Sequence, residues 1–105
     1  MTLDQGENAG LPEIKHHVYE NGKIQSLGFK TADGRDATIG VIHGAGNWDF
    51  GEANRREQIT ITSGEITSAD EKSHYPAGNV LTFEKGDKIQ FRTSGPASYI
   101  CIYGD

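Results

Sequence analysis

Glu57 begins the stretch of this sequence whose residue types and spacing are most typical of a functional site. Isoleucine and threonine alternate behind it, which is the period of a half-buried β-strand, and Gly64 follows at a tight turn. A carboxylate at the start of such a strand is a candidate metal ligand, or a candidate contact for the polar groups of a ligand. The alternative is a structural ion pair with the neighbouring Arg55 or Arg56.

The placement of the histidines argues against a metal site around Glu57. Residues 48–56, which precede it, contain no histidine. His16 and His17 are adjacent, so on a strand they point to opposite faces and chelate poorly. The other two histidines could meet only through the fold. We therefore expect no metal cofactor.

Four aromatic residues are candidates for contact with a ligand. Trp48 and Phe50 could stack on a planar ring, or they could fill a small core. Tyr99 and Tyr103 share one face of the last strand with Cys101, and this face could line a pocket or form a core stripe. Cys101 has no His or Lys neighbour in sequence to activate it, so we expect a small buried hydrophobe.

Short strands separated by turn dipeptides must position these groups. Asn21-Gly22 and Asp33-Gly34 are strong turn signals, and no stretch shows a helical apolar period over three turns. Strands that recur with turns between them predict an all-β antiparallel sandwich or barrel. The predicted strands cover residues 16–19, 23–30, 37–42, 48–50, 57–62, 80–83, 88–92 and 97–103.

Length and composition limit the possible functions. The chain of 105 residues has a net charge of -5 and no cluster of Lys or Arg, so its charge argues against binding to nucleic acid or an anionic membrane. A single Cys and the lack of a long apolar run favour a soluble protein of the reducing cytoplasm. Residues 1–18 are predicted to be a flexible N-terminal arm, and residues 19–105 a single barrel domain.

Seven short motifs occur in order between Tyr19 and Tyr103, and together they resemble one family. The motifs are Lys23–Phe29, Gly34–Arg35, Gly40–Ile42, Trp48–Phe50, Thr60–Gly64, Tyr75–Gly78 and Ser98–Tyr103. In this order they are similar to the pyrimidine/purine nucleoside phosphorylases, a family of small single-domain cupins. Glu57 and Gly64 are also placed as in the first cupin motif.

The resemblance implies an antiparallel jelly-roll barrel of the cupin type, a homodimer, and no metal. The implied reaction converts a nucleoside and phosphate, as co-substrate, into a free base and ribose 1-phosphate, over a broad range of purines and pyrimidines. Glu57 is then the candidate catalytic residue, acting on the ribose or the base, and the four aromatic residues are candidates for nucleoside binding. Arg35 is the candidate for phosphate binding, and its alternative is a solvated loop arginine beside two aspartates.

Two departures from the family pattern keep a second function open. Ile102 stands where the family usually has Arg, and residues 84–86 replace a Pro-Gly-His turn. These departures favour a non-catalytic module that binds a nucleoside, a sugar or another small ligand. A metal-dependent cupin dioxygenase or isomerase is disfavoured, because no His-x-His pair precedes Glu57.

Alternation also predicts which apolar residues are buried. The predicted buried residues are Ile24, Leu27, Phe29, Ile39, Val41, Ile59, Ile61, Val80, Phe83, Ile89, Phe91 and Ile100.

Overall fold

The computed structural model describes residues 14–104, which form ten β-strands and one short 3-10 turn at Glu20–Gly22. This part of the chain has no helix of the length and apolarity that crossing a membrane requires. The strands are β1 (Lys15–Tyr19), β2 (Ile24–Lys30), β3 (Asp36–Ile42), β4 (Gly46–Glu52), β5 (Glu57–Ser63), β6 (Glu65–Ser68), β7 (His74–Pro76), β8 (Val80–Phe83), β9 (Lys88–Thr93) and β10 (Ala97–Tyr103).

The strands form two antiparallel sheets. The larger sheet has six strands in the order β1-β2-β3-β10-β5-β8, and the smaller has four in the order β4-β9-β6-β7. The last strand of the chain, β10, lies between β3 and β5 and pairs with both. The predicted all-β antiparallel architecture is therefore confirmed.

The core lies between the sheets, because alternate side chains of each strand point inward. Ile24, Ile42, Ile61 and Cys101 of the larger sheet are fully buried there. Side chains of the smaller sheet, including Phe91, pack against them. Burial of this apolar surface is the main favourable contribution to folding.

The prediction of buried residues is correct only in part. Five of the twelve are buried, namely Ile24, Ile59, Ile61, Ile89 and Phe91. Three are partly buried, namely Phe29, Phe83 and Ile100. The prediction is wrong for four exposed residues, namely Leu27, Ile39, Val41 and Val80. The strand positions are right, but these four point outward, away from the smaller sheet.

The outward direction of these residues has a local cause in β3. Its inward positions are taken by Thr38, Gly40 and Ile42, so the larger apolar side chains of Ile39 and Val41 occupy the outer face. A strand that carries apolar residues on both faces does not reveal from its sequence which face is buried.

The ends of some elements also differ from the sequence-based expectation. Residues 15–18, assigned to the predicted arm, form most of β1 and pair with β2. Residues 1–13 of that arm lie outside the described residues. Two short strands of the smaller sheet, β6 and β7, were not predicted, because polar residues dominate this segment.

Gly40 is a point of close approach between the backbone and a side chain in the larger sheet. It pairs with Tyr99 across β3 and β10, and the Tyr99 ring lies directly over its Cα. A Cβ atom built at Gly40 would lie well under 3.0 Å from two ring carbons and the hydroxyl oxygen of Tyr99. The absence of a side chain at Gly40 therefore leaves the space that the Tyr99 side chain occupies.

We predict that Gly40→Ala destabilises the protein by about 1–3 kcal/mol, because the new methyl group forces the Tyr99 ring out of its position. Urea unfolding followed by the fluorescence of the single tryptophan measures this change. Gly95→Ala is the matched control, since a Cβ there meets nothing within 4 Å. Equal stability of the two variants would contradict the prediction.

Candidate functional site

A cavity of about 340 Å³ lies between the two sheets at one end of the barrel. Its size is within the range of small-molecule sites, roughly 300–1,000 Å³. The lining is mainly apolar and aromatic, with a few polar groups set into it. The residues used in the argument below are Tyr19, Phe50, Glu57, Tyr99, Cys101 and Tyr103. We call this cavity the barrel pocket.

Glu57 lies in the wall of the barrel pocket, at the first position of β5. It pairs with Tyr103 on one side and with Phe83 on the other. The thiol of Cys101 donates to its Oε1 atom, with Sγ and Oε1 3.6 Å apart. Burial raises the pKa of Glu57, although this thiol and the charge of Arg55 act in the opposite direction.

The two arginines that precede Glu57 pair with other carboxylates. Arg55 pairs with Asp36, with 2.7 Å between nitrogen and oxygen, and Arg56 pairs with Glu84 at 3.1 Å. The structural ion pair considered as the alternative for Glu57 is therefore not what positions this carboxyl group.

Three inward side chains of β10 continue the polar wall. Tyr99, Cys101 and Tyr103 all line the barrel pocket, as their shared strand face predicts. The Tyr103 and Thr38 hydroxyl oxygens lie 3.4 Å apart. Burial raises the pKa of both tyrosines, and burial together with the charge of Glu57 raises the pKa of Cys101 to about 12. Cys101 is thus a buried, protonated thiol, as the sequence predicts.

The opposite wall is aromatic. The rings of Phe50 and Phe91 stack with centroids 5.8 Å apart, and the ring of Tyr19 meets Phe50 edge-on at 5.5 Å. Tyr19 was not among the predicted site residues. The sequence feature that could have identified Tyr19 is its position as an aromatic residue at the end of the first strand, two residues before the hairpin dipeptide Asn21-Gly22.

Two predicted site residues lie elsewhere. Trp48 is buried away from the barrel pocket, and its indole N–H donates to Thr93 Oγ1 at 2.9 Å. Arg35 does not line the barrel pocket, because its guanidinium donates to the carbonyl oxygen of Gly104 at 2.7 Å. The structure therefore gathers four of the six predicted side chains, Phe50, Glu57, Tyr99 and Tyr103.

Arg55 is the cation that lines the barrel pocket, and the sequence suggested it only as a partner for Glu57. Its guanidinium carbon lies 5.0 Å from the centroid of the Tyr103 ring, a cation–π distance. The connection that carries it is fixed at both ends, because the Ala53 N–H donates to Asp87 O and the Gly104 N–H donates to Arg56 O, each at 2.8 Å. Arg55 therefore sits on a tethered loop rather than a free one.

Ile102, the main departure from the family pattern, does not face the barrel pocket. It alternates with Cys101 and Tyr103 and is paired with Ala37 and Gln58 on the outer side of the sheet. An arginine at this position would begin on the outer face. The replacement therefore removes no group from the wall of the barrel pocket.

Residues 14–104 contain no group of three or more His, Cys, Asp or Glu side chains that could hold a metal ion.

Comparison with known proteins gives a consistent family match. Residues 14–103 match the family model described as pyrimidine/purine nucleoside phosphorylase. A protein of that name from Sorangium cellulosum is 37% identical over 96 residues, which cover 86% of this chain and 98% of the relative.

Solved structures support the fold. A protein of unknown function from Vibrio parahaemolyticus superposes with a TM-score of 0.75 at 26% identity, covering 87% of this chain and 98% of the other. A protein from Ralstonia eutropha, described as having a cupin-like fold, gives a TM-score of 0.61 at 15% identity, covering 76% of this chain and 55% of the other. The predicted cupin-type fold is confirmed.

We predict that Glu57→Gln stabilises the protein at pH 7. Burial disfavours the charged carboxylate, so the folded pKa of Glu57 lies above its ordinary value of 4.5. The folded protein then holds this proton more tightly than the unfolded chain, and wild-type stability falls as pH rises through the folded pKa. A neutral glutamine carries no such cost.

Urea unfolding of wild type and Glu57→Gln at pH 7 and pH 4 measures this difference. The advantage of the variant should shrink at pH 4, where wild-type Glu57 is largely protonated in both states. The same substitution at the exposed Glu52 controls for the loss of one charge. An advantage that is equal at both pH values would refute the buried-carboxylate explanation.

Proposed function

The chain belongs to the pyrimidine/purine nucleoside phosphorylase family, and on that basis we propose that it cleaves nucleosides with phosphate, releasing the free base and ribose 1-phosphate. The observation that carries the proposal is the barrel pocket. This cavity combines aromatic rings with a partly buried carboxyl group and tyrosine hydroxyls. A nucleoside has the same combination of one flat apolar part and one polyhydroxyl part.

The aromatic wall suits the base. Phe50, Phe91 and Tyr19 line the cavity as one aromatic cluster, in which Phe50 stacks on Phe91 and Tyr19 meets Phe50 edge-on. Stacking on such rings is worth about 1–3 kcal/mol per base and depends little on base identity, since every base has a π-face. A pocket that binds the base mainly by stacking accepts purines and pyrimidines alike, in keeping with the family name.

The polar wall supplies a group that can act on the glycosidic bond, the bond that breaks. In phosphorolysis a phosphate oxygen bonds to C1′ of the ribose while the C1′–N bond breaks and its electrons stay with the base. We assign Glu57 as the acid that protonates the departing base, because its raised pKa keeps a larger protonated fraction near neutral pH. Monohydrogen phosphate returns that proton to Glu57, so phosphate is the only co-substrate that the balance requires.

The direct test mixes purified protein with inosine or uridine and inorganic phosphate, and follows free base and ribose 1-phosphate by chromatography. We expect both products in equal amounts and no reaction without phosphate. Folded protein that binds nucleoside without releasing base would instead establish the non-catalytic binding module.

We predict that Glu57→Gln lowers kcat on uridine by about 10²–10⁴-fold, the usual contribution of a positioned acid. An artificial substrate with a 4-nitrophenyl leaving group separates acid catalysis from a ribose contact. That leaving group needs no proton, so we expect Glu57→Gln to lower kcat much less on the artificial substrate than on uridine.

The matched control is Glu65→Gln, at an exposed carboxylate on the smaller sheet whose contact is a surface pair with His74. An equal loss for both substrates in Glu57→Gln would show that Glu57 binds the ribose and does not protonate the base.

We also propose that a second copy of the chain covers the outer face of the six-stranded sheet. One cross-strand row on that face runs across all six strands, about 24 Å at the usual strand spacing. Its successive members are His16, Leu27, Ile39, Ile100, Thr60 and Val80. Leu27, Ile39 and Ile100 are consecutive apolar members of the row, Leu27, Ile39 and Val80 are exposed, and an exposed apolar patch of this kind marks interfaces.

A self-complementary flat face favours a twofold dimer, the commonest form of oligomer. The row is centred on Ile39 and Ile100, the middle pair of the sheet. A twofold axis near that pair would place apolar side chains of one protomer against those of its partner.

We predict that Ile39→Glu converts a dimer into a monomer, because association would bury an unpaired charge. Light scattering on a sizing column measures the mass. Ile39 is 44% exposed, so the monomer tolerates the charge. Asn47→Glu on the other sheet is the matched control and should remain dimeric. A monomeric wild type, or a variant that stays dimeric, would overturn the assignment.

A further inference from the structure

A second cavity, of about 560 Å³, opens beside the barrel pocket. The two cavities share three lining residues, Tyr19, Arg55 and Tyr103. The second cavity is also lined by Lys15 of β1 and Lys30 of β2. Because these three residues line both cavities, ligands in the two spaces would be neighbours. We call it the cationic cavity.

The charge of the cationic cavity is opposite to that of the whole protein. Among the residues that the structure describes, the lining has three cations, Lys15, Lys30 and Arg55, and one carboxylate, Asp36, so these side chains sum to +2 when histidine is neutral. The whole chain carries -5. A positive concave surface on an acidic protein is a specific attraction for a small anion, since the rest of the surface repels it.

Asp36 gathers two of these cations. One carboxylate oxygen accepts from Lys30 Nζ and the other from Arg55 Nη2, each at 2.7 Å. The contacts with Lys30 and Arg55 hold the pKa of Asp36 down to about 2. Asp36 therefore stays ionised at physiological pH and keeps both cations at one end of the cavity. A lysine has three N–H donors and an arginine has five, so each cation keeps donors that are not used by Asp36.

We propose that the cationic cavity binds a phosphate dianion, in a position adjacent to the sugar of a nucleoside held in the barrel pocket. This inference deepens the proposed function and rests on it for the identity of the neighbouring ligand. Arg55 is the central group, because its planar guanidinium matches a phosphate in geometry and lines both cavities. It takes the role that the sequence had assigned to Arg35.

Two sources of phosphate share this chemistry. One is inorganic phosphate, the co-substrate that must approach C1′ from the side opposite to the base. The other is the 5′-phosphate of a nucleoside monophosphate, which would make the chain a nucleotide-cleaving member of its family. In the first case inorganic phosphate and the nucleoside bind together. In the second case inorganic phosphate competes with the nucleotide for the same site.

The first measurement is binding of inorganic phosphate alone, by calorimetry at low ionic strength. We expect Lys15→Gln and Lys30→Gln each to weaken binding by about tenfold, the effect of one charge-assisted hydrogen bond. Lys72→Gln is the matched control, since it removes the same charge from a turn on the smaller sheet, outside both cavities. Equal affinities in all four proteins would overturn the site.

The second measurement compares uridine with uridine 5′-monophosphate as ligands of wild type and the two cavity variants. If the monophosphate binds at least tenfold more tightly and loses that advantage in Lys15→Gln and Lys30→Gln, the site holds the substrate's own phosphate. If the two ligands bind equally while the variants bind inorganic phosphate weakly, the site holds the co-substrate. Either result supports a phosphate site.

The two proposals fail in different ways. Suppose that the wild type forms no ribose 1-phosphate, but that its binding of phosphate weakens in Lys15→Gln and Lys30→Gln. The phosphate site would then stand, and the proposed reaction would be rejected. Suppose instead that phosphorolysis occurs, and that both variants keep the wild-type KM for phosphate and the wild-type affinity for the monophosphate. The proposed reaction would then stand, and the phosphate site would be rejected.

Discussion

The pairing register of β10 is the constraint on which the barrel pocket depends. This strand lies between β3 and β5, and its alternate residues Tyr99, Cys101 and Tyr103 form the polar wall. A slip of one residue would turn all three to the outer face. Gly40 fixes the register sterically, because it is the position opposite Tyr99 and leaves room for the ring. A backbone pairing and one missing side chain thus determine where the chemistry can occur.

The same register sets the electrostatics of the candidate site. Pairing with Tyr103 carries Glu57 into an apolar enclosure, where desolvation favours its protonated form. Arg55, two residues earlier, instead reaches out to Asp36 and keeps its charge at the cavity mouth. Two residues that lie two positions apart therefore supply a partly buried carboxyl group with a raised pKa and a cation held by Asp36. A direct ion pair with Arg55 would have favoured the charged form of Glu57 and opposed the acid role proposed for it.

Sequence reasoning recovered the parts of this structure that depend on local period, and it missed the parts that depend on tertiary contacts. Alternation located most strands, and it placed Tyr99 and Tyr103 on one face, where they are found. Alternation could not say which face of β3 is buried, because both faces carry apolar residues. Arg35 and Arg55 are indistinguishable as isolated arginines, and only the fold sends one to a backbone carbonyl and the other to the pocket.

The burial of Cys101 has a consequence for how this protein can be observed. It is the single cysteine of the chain, 1% exposed, and protonated because its pKa is raised to about 12. A thiol in that state reacts slowly with alkylating reagents, and motions of the barrel that expose it raise the rate. Because Cys101 lines the barrel pocket, the rate of its modification reports access to the pocket without any introduced residue. The native residue is a built-in probe of the dynamics of the strand that organises the pocket.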